Sequence, residues 1–191
     1  MPSPVAHLSM GFFLWFALRP RLDGLVSRLP RGEWVLWGGF LFFSMLPDLD
    51  AILGILTGDM GRYHNQGTHS LFAGITVSLG LAVLGSRLVK GSGSSRWLLW
   101  IFPAVMIHIL MDSICFGRGL KLAWPFSSHR FQAPVEIFGG LHWSEGLWSP
   151  SHLFTVAEEL RFTLLLFLVA CLMWRQRERN PLSDAFVKPS A

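Results

Sequence analysis

Residues 97–116 read 97-WLLWIFPAVMIHILMDSICF-116, an apolar run interrupted by one imidazole, His108, and one carboxylate, Asp112. About 20 mostly apolar residues cross the roughly 30 Å of hydrocarbon in a bilayer as a helix. An ionisable side chain inside such a segment costs at least about 2.5–3.5 kcal/mol, so it faces the protein interior or a partner. His108 and Asp112 are four apart, which puts both on one face of a helix. The stretch therefore predicts a membrane helix whose inner face meets polar groups from elsewhere in the chain.

The rest of the chain agrees. It has 191 residues, 51% hydrophobic and 15% charged, against about 25% charged in soluble domains. One Tyr stands against nine Trp and sixteen Phe, a richness that excludes disorder. Two cysteines cannot build a disulfide framework, and on the topology below Cys115 and Cys171 lie at opposite depths. Four further apolar stretches are visible: Val5 to Leu18, Trp34 to Leu56 broken by Pro47-Asp48-Leu49-Asp50, Ser70 to Val89, and Leu160 to Trp174. No internal repeat is visible, and Gly91 to Ser95 is a flexible turn. No Lys or Arg precedes Arg19, so a cleavable signal peptide is not expected. The expected fold is all-α: a polytopic helical membrane bundle of four to five transmembrane helices, with residues 1–174 as one integral membrane domain and 175–191 as a basic cytoplasmic tail.

Basic residues orient the bundle. Arg19, Arg21, Arg28 and Arg31, then Arg87, Lys90 and Arg96, then Arg175, Arg177, Arg179 and Lys188 share one side of a five-span chain, eleven of the sixteen Lys and Arg residues. The positive-inside rule places that side in the cytoplasm and the N-terminus outside. The same distribution accounts for the net charge of +4, so no nucleic-acid partner is expected. The segment Gly117 to Glu158 carries Trp124, Phe126, Phe131, Phe138, Trp143 and Trp148. It is expected as an outer loop lying partly on the membrane, either roofing a site or acting as a plain interfacial anchor.

On this topology the polar groups converge in depth. His7 opens the first stretch at its outer end. Asp48 and Asp50 lie about 20–25 Å along the second, and His108 and Asp112 roughly 16–22 Å along the fourth, both towards the outside. His64 and His69 flank the outer loop 64-HNQGTHS-70. Imidazoles and carboxylates are the ligands of Zn²⁺, Mn²⁺ and Fe²⁺. Asp48 and Asp50 would diverge by about 200° on a regular helix, but Pro47 disturbs it. Either both carboxylates reach a metal from a broken helix, or one stands behind the ligands. Four imidazoles and three carboxylates exceed the needs of one ion, and two ions about 3.5–4 Å apart form the hydrolase arrangement. Thr68 and Ser70 are expected to orient ligands or only to cap the third stretch. Arg118, Lys121 or Arg130 could hold a phosphate. His129, His142, His152, Glu136, Glu158 and Glu159 also fall on the outer side, and no spacing selects among them.

In order along the chain, Met1-Pro2-Ser3-Pro4-Val5-Ala6-His7, Leu46-Pro47-Asp48-Leu49-Asp50, His64 with Gly67-Thr68-His69-Ser70, His108-Ile109-Leu110-Met111-Asp112 and Trp124-Pro125-Phe126 resemble the LexA-binding, inner-membrane-associated hydrolases, also described as membrane-bound metal-dependent hydrolases. Members commonly carry Arg after the first histidine of the loop motif, where this chain has Asn65-Gln66. A looser likeness, on His/Asp spacing alone, is to zinc-dependent phospholipase C. The resemblance implies a multi-pass protein of the bacterial inner membrane and a hydrolytic reaction class. Together the residues and the resemblance lead to these expectations: His7, Asp48, Asp50, His64, His69, His108 and Asp112 hold one or two divalent ions, zinc first, with manganese or iron as alternatives. Asp48 or Asp50, whichever is left outside the ligand set, accepts a proton from an activated water, and the substrate is a lipid or lipid-linked ester. The alternative is a divalent-metal membrane protein, for transport, structure or regulation, without hydrolysis. Nothing in the sequence names a protein partner.

Overall fold

A computed structural model describes residues 1–141, 145 and 149–179 of the chain. The elements are α1 (Pro4–Leu18), α2 (Asp23–Val26), α3 (Gly32–Ser44), α4 (Asp50–Thr57), α5 (Met60–Tyr63), α6 (Leu71–Leu88), α7 (Ser94–Ser113) and α8 (Ser151–Arg179). Short 3-10 turns lie at Arg19–Leu22, Leu46–Leu49 and Gly67–His69, and among the described residues there is no β-strand. Local chemistry sets the boundaries. Ser3 caps α1 by accepting from the Val5 N–H, with Pro4 in the first turn. Ser70 caps α6 by accepting from the Ala73 N–H. Gly58, at φ 71°, ends α4 in the left-handed conformation that glycine adopts without strain.

α1 packs on α3, α7 and α8, while α7 packs on α3 and α6. The basic turns meet at one end of this bundle: the Arg96 guanidinium lies against Gly24, and Arg177 donates to the Phe16 and Ala17 carbonyls at the end of α1. Leu22, Leu25, Leu36, Phe40, Trp100 and Ala104 form the core at this end. Ile101, Val105, Ile109 and Leu120 fill the middle. Ala6, Met111, Cys115 and Phe138 close the other end.

α6 is apolar outside and small inside. Gly74, Ser78, Ala82 and Gly85 are buried, whereas Phe72, Ile75, Leu79, Val83, Leu84 and Leu88 are exposed. A Cβ at Gly85 would come within 2.5 Å of the Trp97 ring, and one at Gly74 within 2.9 Å of Ile109 Cδ1. Small residues that let two helices close up, with large apolar ones turned away, are the pattern of membrane helix packing.

Two helices, α6 and α7, are long and apolar enough to cross a membrane. α3 and the segment Leu46–Thr57 make a third span if the pair, bent by 64°, is taken as one. By length and composition the described residues thus show two or three of the expected four to five spans. α1 has 15 residues, about 22 Å of helix. α8 has 29 residues but carries Glu158, Glu159 and Arg161 before its apolar run and Arg175 and Arg177 after it. α8 also runs through the expected tail boundary at 175 to Arg179. Lys188 and the rest of 180–191 lie outside the described residues.

Gly38 and Gly39 give a paired test of the close packing in α3. A Cβ at Gly39 would sit 2.0 Å from the buried Trp100 ring, while one at Gly38 meets nothing within 4 Å. Gly39→Ala should destabilise by about 1–3 kcal/mol through overpacking. Gly38→Ala should be neutral or gain up to about 1 kcal/mol of helix propensity. Thermal unfolding in detergent checks both, and equal melting points would contradict this packing.

Candidate metal centre

Ser44 ends α3, and the next turn decides the site. Pro47 has no N–H to continue the helix, and the Asp48 N–H donates to the Met45 carbonyl in a 3-10 turn. The Ser44 carbonyl is released and accepts from His108 Nδ1 at 2.6 Å. A carbonyl can only accept, so Nδ1 carries the proton and the lone pair of neutral His108 lies on Nε2. That bond aims Nε2 into the bundle.

His108 Nε2 is one of four donors in a tight group: one atom each from Asp48, His69, His108 and Asp112, all within 4.8 Å of one another. Asp48 Oδ1 lies 3.3 Å from His69 Nε2 and 3.3 Å from His108 Nε2. The two histidine nitrogens are 3.3 Å apart. Asp112 Oδ2 lies 3.2 Å from His69 Nε2 and 3.7 Å from His108 Nε2. Bonds of about 2.0–2.2 Å in a regular tetrahedron imply ligand–ligand edges of about 3.3–3.6 Å, the spacing zinc requires. The five edges above, 3.2–3.7 Å, are of that size, so these four groups could hold a metal ion.

His7 completes the neighbourhood. Its ring stacks on His108 with centroids 3.8 Å apart, and its Nε2 lies 3.4 Å from Asp112 Oδ1. Both nitrogens of His7 and both carboxylate oxygens of Asp112 are buried without a hydrogen-bond partner among the described residues. Buried polar groups are nearly always satisfied, and each one left unmade costs about 1–3 kcal/mol. Four such atoms side by side are what a cation would satisfy.

A second group joins Asp50, His64 and His69. Its geometry is that of hydrogen bonds. His64 Nδ1 donates to Asp50 Oδ1 at 2.7 Å, and the Thr68 hydroxyl donates to Asp50 Oδ2. His69 Nδ1 lies 3.3 Å from Asp50 Oδ2 and 3.0 Å from Thr68 Oγ1. Carboxylate and hydroxyl thus hold the outer nitrogen of His69 and turn Nε2 inward, the usual arrangement behind a metal-ligating histidine. Burial alone would lower the His69 pKa, but the carboxylates of Asp112, Asp48 and Asp50 close around it outweigh that and raise it well above the ordinary value.

All seven candidate ligands from the sequence lie in or against these two groups. Asp48 and Asp50 both point into the cluster, since the 3-10 turn removes the 200° divergence of a regular helix. Thr68 orients, and Ser70 caps. The segment 117–141 roofs the ligand loop: the Trp124 ring covers Gly67, where a Cβ would come within 2.8 Å of it. The Leu71 N–H donates to the Leu122 carbonyl, and Arg118 donates to the His64 carbonyl. The loop also turns Phe126, Val135 and Ile137 outward.

Other candidates stand apart. Glu159 accepts from the Ser3 N–H and hydroxyl, tying α8 to the start of α1. Glu136 accepts from Gln132, and Glu158, His129 and His152 belong to neither group. His142, Trp143 and Trp148 lie outside the described residues. Cys115 is buried and Cys171 half-buried, both as free thiols. Sequence reasoning missed the Ser44 carbonyl and the Met1 thioether, which abuts His64 Nε2. The first had a signal, since a proline three residues after Ser44 marks where a helix gives up a carbonyl. The second had none.

Comparison with known proteins places this cluster in a lineage. Inner membrane protein YbcI of Escherichia coli (strain K12) is 27% identical over 184 residues, covering 93% of this chain and all of that protein. No solved structure matches. The family model described as YdjM inner membrane protein matches residues 1–182, from Met1 through every residue of the cluster. The two descriptions name the inner membrane and no reaction. By that match the chain belongs to the YdjM inner membrane protein family.

Proposed function

We propose that this chain is a membrane-embedded, metal-dependent hydrolase acting on a phosphoester or other ester of a lipid or lipid-linked substrate. The observation that carries the reading is a complete donor set adjoining an incomplete one. Asp48, His69, His108 and Asp112 Oδ2 surround one position. Asp112 Oδ1 with His7 Nε2 offers a second, with coordination left open for water and substrate. A divalent ion, with zinc favoured by the spacing of the donors, would make a bound water more acidic and polarise the ester. Asp112 would offer a carboxylate oxygen to either position. Asp50 stays engaged by His64 and Thr68 and keeps His69 aimed. His7, when it holds no ion, is the imidazole placed to accept the proton of the attacking water.

Two guanidiniums supply the anion grip. Arg118 donates to the His64 carbonyl, and Arg130 donates to the Gly119 carbonyl at 2.8 Å and the Asn65 carbonyl at 3.5 Å. Burial and the neighbouring Arg118 charge push the Arg130 pKa down. Two cations anchored on the ligand loop favour a phosphate beside them, with Lys121 in the same 117–141 segment as both. We place the cluster on the extracytoplasmic side and the basic end in the cytoplasm, because the basic turns gather opposite the cluster. On this reading α1 and α8 also cross, giving four or five spans, and residues 1–174 form one domain.

A second reading is favoured by one feature: four protein donors close a tetrahedral shell, as in structural zinc sites. Such an ion would only staple α3, α7 and the outer loop. Metal analysis of purified protein, with turnover of a chromogenic phosphodiester and of phospholipid, separates the two. Hydrolysis that is lost on chelation and in His7→Ala, with one ion retained in that variant, is the expected result. Bound metal with no turnover of any phosphoester or carboxyl ester overturns the hydrolase.

A further inference from the structure

We propose that an apolar cavity between α6 and the Leu46–Pro47 break seats the few ester-proximal carbons of one acyl chain of a membrane lipid, the rest of the chain staying in the bilayer, so that its ester reaches the His/Asp cluster sideways. This rests on the hydrolase reading and adds the route and the chain-recognising residues.

The cavity holds about 100 Å³ and is lined by Leu46, Pro47, Ala73, Val77 and Val105, with Thr68 the one hydroxyl among them. Thr68 joins it to the cluster, since the same hydroxyl donates to Asp50 and lies 3.0 Å from His69 Nδ1. Pro47 immediately precedes Asp48, so the other wall also ends at a cluster residue. From outside, the ligand loop is covered by Trp124 on Gly67 and by Arg118 on the His64 carbonyl.

The surface that the cavity adjoins selects its occupant. The cavity runs along the face of α6 that carries Ala73 and Val77, one turn apart, and Val77 is also exposed, on a helix apolar enough to cross a membrane. It is continuous with the lipid-facing surface, and hydrocarbon is what meets it there. No charged side chain lines it, so a headgroup would be left unpaired inside. Its width is set on α6 by Ala73. Gly74, also in the lining, lets α6 approach Ile109 and Met106 closely. Bulk at position 73 should fill the opening and leave the donors untouched.

The test uses the full chain in nanodiscs of phosphatidylethanolamine and phosphatidylglycerol, with a phosphatidylglycerol carrying a diazirine on its acyl chain. Light-induced adducts on Leu46 and on the Ala73–Val77 segment are expected in the wild type. They should be lost in Ala73→Trp and retained in Gly80→Trp, which adds the same bulk about two turns further along the helix, where a Cβ meets nothing within 4 Å. Adducts on Leu165 of α8 should be equal in all three. Val77→Trp serves if Ala73→Trp does not insert. In the turnover arm, Ala73→Trp should lower kcat/KM for long-chain phospholipid about tenfold or more while a water-soluble phosphodiester changes less than about twofold. Equal adducts in Ala73→Trp and wild type, or an equal fall for both substrates, overturn the proposal. Adducts that depend on Ala73 in a protein that hydrolyses nothing would sustain the lipid slot and remove the hydrolase.

Discussion

His69→Ala is expected to abolish the metal binding we propose for the cluster, with the largest loss of affinity of any single ligand change. His69 sits where the two groups meet. Its Nε2 is one corner of the tetrahedral set, within 3.3 Å of donors on Asp48, Asp112 and His108. Its Nδ1 faces Asp50 and Thr68. Removing the ring opens the first position and releases Asp50 from its role. Partners behind a ligand typically cost 10–100-fold in metal affinity when removed, so Thr68→Val should lose about that much, and His69→Ala more. Competition against a chromophoric chelator measures the series. His69→Ala binding within a few-fold of wild type would mean that the four donors are not a ligand set. Thr68→Val losing as much as His69→Ala would mean that the loop has collapsed, which a melting curve of the chelated proteins would reveal.

The series also marks what could be read from the amino acids alone. The depth of the cluster was legible because helical rise is constant: counting residues from the charged ends of Trp34–Leu56 and Trp97–Phe116 brings Asp48 and His108 to one level. The pairing of His108 with Asp112 was legible from their spacing of four. Roles were not. Spacing gives the phase of a side chain around an axis, but not where the axis bends. The axis turns by 64° between α3 and the Leu46–Thr57 segment, which brings both Asp48 and Asp50 to face His69. Which of the two is held back depends on Thr68 and His64 reaching Asp50 first, a contact between segments that no periodicity contains. Where α8 begins to pack as protein was not legible for a related reason: Glu159, just before the apolar stretch Leu160–Trp174, is buried against Ser3, a contact between segments that apolar length does not contain.

The second large effect concerns stability. Chelation should destabilise the wild type strongly, because it leaves the two oxygens of Asp112 and the two nitrogens of His7 buried and unsatisfied. An ion present at 100 times its Kd adds about 2.7 kcal/mol of apparent stability to the folded form. Asp112→Val removes the carboxylate at similar volume. Replacing buried ionic groups by apolar ones of like size is often neutral or stabilising by about 1–4 kcal/mol, whereas removing one partner of a satisfied pair is costly. The chelated Asp112→Val protein should therefore melt at or above the chelated wild type, and below the metal-loaded wild type. Added metal should raise the melting point of the wild type alone. A valine variant that melts well below the chelated wild type, in a protein whose own melting point ignores chelation, would make the cluster a self-satisfied polar core. A metal-dependent melting point that vanishes in Asp112→Val while the apo fold is kept ties the four unpaired atoms to the ion, which is the premise on which any chemistry at this site depends.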